Sequence, residues 1–166
     1  MAITIKRNGK PQVEPNHISA PRNGQVYAQL PVNKKIKEVF QGMFLCYDVA
    51  AGECNLKGEA PWMLSYNEEK LYDERHQMHK DFSLKVEDFY DGQIVPRLFK
   101  LVEGDLFTTN CVKEEALTLG DKLQPGATGI LEKATSPKAG LPTLKVVAET
   151  TMPDGQPAVK LQVISA

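Results

Sequence analysis

A chain of 166 residues with 42% hydrophobic and 25% charged side chains is long enough to close one self-sufficient core, burying about two-thirds of its unfolded surface. Its formal net charge of −1 excludes a global field that would draw it to nucleic acid or to an anionic membrane surface. No apolar run approaches the roughly 20 residues of a membrane-crossing helix, and Met1-Ala-Ile-Thr-Ile-Lys-Arg7 lacks a signal peptide's long apolar region and cleavage site. The chain is therefore expected to stay in the compartment where it is made.

Residues 1–33 are punctuated by Asn8-Gly9, Pro11, Pro15, Pro21, Asn23-Gly24 and Pro31, too often for long regular elements. Between the breaks lie only short apolar pieces: Ile3/Ile5, Val13, Ile18 and Val26-Tyr-Ala-Gln-Leu30. Such a segment cannot build its own core. It is either an extended arm that lies on a neighbouring molecule or a set of edge strands wrapped on its own body, and its length favours the arm. Charge is uneven as well. Residues 1–42 carry seven Lys/Arg against Glu14 and Glu38, a balance of +5, which leaves −6 for the remainder. The arm residues expected to meet a partner are Ile3, Ile5, Arg7, Val13, Ile18, Arg22, Tyr27 and Leu30. Lys34, Lys35 and Lys37 read as a solvated face.

A β-rich domain is expected over 34–166. In its first portion, 34–93, residues 33–40 start a strand or a single helical turn. Gly42–Asp48 is a strand rich in aromatic and bulky apolar residues, 49–55 is a turn, and Pro61–Tyr66 is a second strand. The lone Trp62 reads as a core anchor. Asn67–Lys80 predicts one short surface helix, capped by Asn67 and carrying Glu68 and Glu69 at its positive end. Phe82, Leu84 and Val86 alternate as a half-buried strand that ends at Asp91-Gly92.

From 94 onward short β-prone runs alternate with turn residues: 95–102, 104–110, 120–123, 129–133, 143–150 and 158–164. This rhythm predicts a small antiparallel β-barrel, tulip-like module or sandwich. The last two runs are joined through Pro153-Asp-Gly155, in which proline presets φ, aspartate caps its own backbone and glycine takes positive φ.

Little in the chain points to chemistry. His76 and His79 share a face if 67–80 is helical, but the His-Glu-x-x-His order of metalloproteases is missing and solvated histidines are expected. Asp105 and Asp121 each follow a glycine and have the composition of turn caps rather than of a glycosidase pair. No nucleophile elbow, P-loop or dinucleotide fingerprint occurs. The three cysteines, Cys46, Cys54 and Cys111, have no metal-ligand spacing and read as reduced packing thiols. An enzyme is not expected, and no catalytic, cofactor or metal residue is assigned. Arg97-Leu-Phe99-Lys100 with Phe107 is the one stretch that looks like a stacking platform for single-stranded nucleic acid. The −6 balance beyond residue 42 opposes that reading, since stacking needs phosphate neutralisation.

The order Gly104–Asn110, Leu119–Leu123, Gly126–Leu131, Leu144–Val147 and Asp154-Gly-Gln156 resembles small tailed-phage head proteins, the capsid decoration or cement proteins that bind outside an assembled shell. The likeness covers roughly residues 95–165 and is one of strand rhythm and turn composition. It implies a non-catalytic β module repeated on the surface of a virion and made in the host cytoplasm. Its partners would be the major capsid protein, whose subunits it bridges, and copies of itself. A phage tail or head–tail adaptor protein and a single-stranded nucleic-acid binder are the alternatives.

Overall fold

The computed structural model describes residues 2–37, 39–59, 61–66 and 95–166. Over these residues the chain is mainly β and no helix occurs. The helix expected over 67–80, His76 and His79, and the strand expected over 82–86 lie outside the described residues.

In chain order the strands are β1 (Ile3–Thr4), β2 (Val13–His17), β3 (Val26–Tyr27), β4 (Phe44–Asp48), β5 (Glu53–Asn55), β6 (Trp62–Ser65) and β7 (Leu98–Phe99). They are followed by β8 (Leu106–Thr109), β9 (Ala116–Leu117), β10 (Lys122–Pro125), β11 (Leu131–Lys133), β12 (Thr143–Thr151) and β13 (Pro157–Ser165). They form a six-stranded sheet in the order β11-β10-β12-β13-β8-β2, a five-stranded sheet in the order β3-β7-β6-β4-β5, and the pair β1-β9. Every pairing between these strands is antiparallel.

The sheets are open, so the barrel alternative is replaced by two sheets packed face to face. Their edges explain why they do not close. Edge strand β2 carries Pro15, which has no N–H to offer a further strand. Val112 and Val32 make single parallel bridges to Leu131 of β11 and Cys54 of β5, occupying both of those edges.

The two sheets bury their facing sides in one core. Phe44, Leu64 and Phe99 come from the five-stranded sheet, and Val13, Phe107, Leu123, Leu144, Val159 and Leu161 from the six-stranded one. Phe44 and Phe107 meet across it with ring centroids 6.5 Å apart. Strand β13 shows the alternation of a sheet with one wet face: Val159, Leu161 and Val163 are buried while Lys160, Gln162 and Ile164 are half-exposed. Strands β4 and β6 do not alternate, because their sheet is covered on both sides. Leu45, Tyr47, Met63 and Leu98 point away from the first core into a second one, closed by Val32, Val39 and Met43. The unbroken apolar run Gly42–Tyr47 follows from that double burial.

At the crossing between the sheets the backbone passes too close for any side chain. Gly42 has φ +88°, and a Cβ there would sit 2.6 Å from Cys111 Cβ and 2.8 Å from Val13 Cγ2.

The N-terminal segment is not an arm lying on another molecule. Strands β1, β2 and β3 pair with β9, β8 and β7 of the same chain. The boundary expected at residue 33 does not hold either, since both large sheets include strands from residues 1–33. Nor does the one expected at residue 94: β7 lies inside the five-stranded sheet, between β3 and β6. The reason is spacing. Each proline- or glycine-bounded apolar piece is just long enough to cap one strand of the body.

Candidate functional site

Of the eight residues expected to meet a partner, the structure turns several inward. Ile3, Ile5 and Val13 are 4%, 1% and 7% exposed within the main core, and Ile18 packs against it. Tyr27 and Leu30 pack against the second core. Arg7 is half-buried, and its positive charge lies close enough to Cys111 to favour that residue's thiolate. Arg22 alone is fully exposed, beside a cleft of about 280 Å³ shared with His17 and Tyr66. These eight side chains form no common outward face, which corrects their assignment as a docking strip. The expected stacking platform is also dispersed: Phe99 and Phe107 are 1% and 0% exposed and present no ring to a base.

The turn carboxylates behave as their flanking residues imply. Asp105 is buried and accepts hydrogen bonds from Ser19 N (3.0 Å), Ser19 Oγ (2.6 Å) and Val102 N (3.0 Å), tying the loop after β2 to the turn before β8. Asp121 accepts from Thr118 N at 2.8 Å and pairs with Lys133 Nζ at 2.6 Å. The hydrogen bond from Lys133 is the main cause that holds its carboxyl below the usual carboxylate range. All three cysteines are buried and none is in a disulfide. Burial pushes the Cys54 thiol up to about 12, and it pushes Cys111 up to about 12 against the opposing pull of Arg7. Such thiols are poor nucleophiles at neutral pH. Among the described residues no group of three or more His, Cys, Asp or Glu side chains is placed to hold a metal ion. No helix among them is long and apolar enough to cross a membrane.

A groove of about 810 Å³ with a largely apolar lining lies beside the second core. Three stretches distant in sequence build it. The first is the segment after Val32, which is strapped to β5 by Asn33 N donating to Cys54 O (2.8 Å) and Cys54 N donating to Pro31 O (2.8 Å). From this segment Ile36, Phe40 and Met43 line the groove. The second is β5 and the turn beyond it, which supply Glu53, Asn55, Leu56 and Lys57.

The third stretch is the tip of the β10–β11 hairpin, with Ala127, Thr128 and Ile130. That tip leaves the six-stranded sheet and docks on the other one: Phe44 N donates to Gly129 O at 2.8 Å. The docking requires glycine. Gly129 has φ +77°, and a Cβ there would stand 2.6 Å from Phe44 O and 2.9 Å from Leu56 Cδ2. The groove therefore lies on the seam between the two sheets, where the packing of one against the other fixes its shape.

Its floor is apolar and incompletely covered. Ile36, Phe40, Leu56 and Ile130 pack against the second core yet remain only partly buried. Its rim is cationic. Lys35, Lys37 and Lys57 line it and are exposed, and among the described residues none has a carboxylate within salt-bridge reach. The one acid among the described rim residues, Glu53, takes a hydrogen bond from Asn33 Nδ2. Two of the lysines are placed by the same local device. Asn33 Oδ1 accepts from Lys35 N (2.8 Å) and Asn55 Oδ1 accepts from Lys57 N (2.9 Å), each an asparagine side chain closing a turn two residues on. Lys35 and Lys37, in the cluster with Lys34, were the part of the rim visible in the sequence, read there as a solvated face. The floor had no such signal, because its residues are spread from 36 to 130.

Comparison of the chain with protein-family models, with curated proteins and with solved structures finds no match.

Proposed function

We propose that this chain is a non-catalytic structural protein that decorates the outside of a tailed-phage head, bridges subunits of its major shell protein and stabilises the shell. One observation supports a binding role above others: a seam groove of about 810 Å³ leaves four large apolar side chains half-covered inside a ring of exposed lysines. Uncovered apolar surface in a concave setting marks a place where another molecule sits. The strand rhythm of residues 95–165 supplies the phage-head part of the proposal.

Two open sheets sharing a core make a stiff body, and a stiff body loses little conformational freedom on docking. Many copies on a symmetric shell act together through effective concentration, so each contact can be weak.

The test is co-sedimentation with particles assembled from a tailed-phage major shell protein, with the bound copies counted. The proposal expects saturable binding at hundreds of copies per particle and a raised temperature of shell disruption. A dozen copies or fewer would identify a tail or head–tail adaptor instead, and absence of binding would remove the proposal.

A further inference from the structure

We infer that the seam groove is the docking site for a protein segment made of apolar anchors flanked by carboxylates; the inference rests on the binding role proposed above and names its partner's chemistry. Two properties of the groove select that occupant. Ile36, Phe40, Leu56 and Ile130 offer a floor that only apolar side chains fill with gain, each large one contributing about 1.5–3 kcal/mol when fully buried. The rim then sets the sign. Among the described residues of the lining, Lys35, Lys37 and Lys57 stand against Glu53, whose carboxylate already accepts from Asn33.

A cationic or neutral segment would leave these ammonium groups uncompensated as water is displaced around them. An acidic one pairs with them at the edge of the contact, where charge fixes orientation and speeds association. Nucleic acid fits less well: it would meet the lysines but offers few apolar groups for the floor, where Phe40 is the one aromatic ring of the lining and is itself packed against the second core.

The occupant has a geometric limit as well. The hairpin tip at Ala127–Ile130 and the segment at Asn33–Lys37, which is strapped to β5, both line the groove, so a segment bound there touches parts of both sheets. Binding would then brace the two sheets against each other.

The experiment uses the full chain and three fluorescein-labelled peptides: Glu-Glu-Leu-Phe-Leu-Glu-Glu, the same core flanked by lysines, and the acidic peptide with Ser-Asn-Ser as its core. Anisotropy titrations in low salt should rank the first at least about tenfold tighter than either control. The variant Lys35→Glu/Lys37→Glu/Lys57→Glu should lose about tenfold for the acidic apolar peptide and gain for the basic one. Salt titration of the unmodified chain gives the same answer without any substitution, as the acidic apolar peptide should weaken steeply between 50 and 500 mM salt (about a 3-fold change in screening length).

Equal binding of all three peptides, no binding of the first at millimolar concentration, or a flat salt response would overturn the inference. If the triple variant still decorates shells as the wild type does, the groove assignment fails while shell binding stands. If the peptide ranking holds but wild-type chain ignores shells, the shell proposal fails while the groove chemistry stands.

Discussion

Asp105 ties together two parts of the fold far apart in sequence through one buried carboxylate. Its carboxylate holds Ser19 through two donors and Val102 through a third, and it is 1% exposed. Removing the acceptor leaves those donors without that partner at a buried position. Asp105→Ala is expected to cost about 3 kcal/mol, read as a fall in the urea midpoint with an unchanged slope; a shift below about 0.5 kcal/mol would contradict the geometry. The cysteines give a second residue-scale test. With Cys54 and Cys111 pushed up to about 12 and all three thiols buried, the native protein at pH 8 should react with Ellman's reagent far more slowly than the urea-unfolded chain. Rapid modification of the native protein would show that the core opens easily. Both aspartate turns and the inert thiols were legible in the sequence, because glycine before aspartate and cysteine within apolar runs are local signals. The groove was not, because no local pattern links Ile36 to Ile130.

At the scale of elements, the strands that could be read from the sequence were those with strong period-two alternation or an unbroken apolar run. Strands β12, β13, β8, β4 and β6 fall within or close to the expected ranges. Strands β1, β3 and β9 are two residues each, too short to show any period. Their pairing is decided by what they cover: Ile3 opposes Leu117, and Val26 opposes Phe99. This inverts the expectation for the N-terminal segment. Burial of Ile3 and Ile5 contributes about 3–6 kcal/mol together, a large share of the roughly 5–15 kcal/mol by which a domain of this kind is stable. Deleting residues 2–12 should therefore lower the unfolding midpoint sharply or leave the chain aggregated. A truncated chain with an unchanged melting temperature would mean that the segment lies free of the body.

For the whole molecule, the informative feature is that one sheet is covered on both faces. The six-stranded sheet closes one side of the five-stranded sheet, and the other side is closed by non-strand segments around Val32, Val39 and Met43. Loop cover is less complete than sheet cover, and the apolar groove lies where it thins out. The positive balance of residues 1–42 has its counterpart there, since Lys35 and Lys37 stand on its rim. The most direct test of a docking role for this groove is lysine acetylation footprinting of the chain, free and bound to shell particles. Lys35, Lys37 and Lys57 should become protected on binding, while Lys145, on the wet face of the six-stranded sheet, stays reactive. Unchanged reactivity of the three rim lysines alongside protection of Lys145 would place the partner on the opposite face and contradict the account.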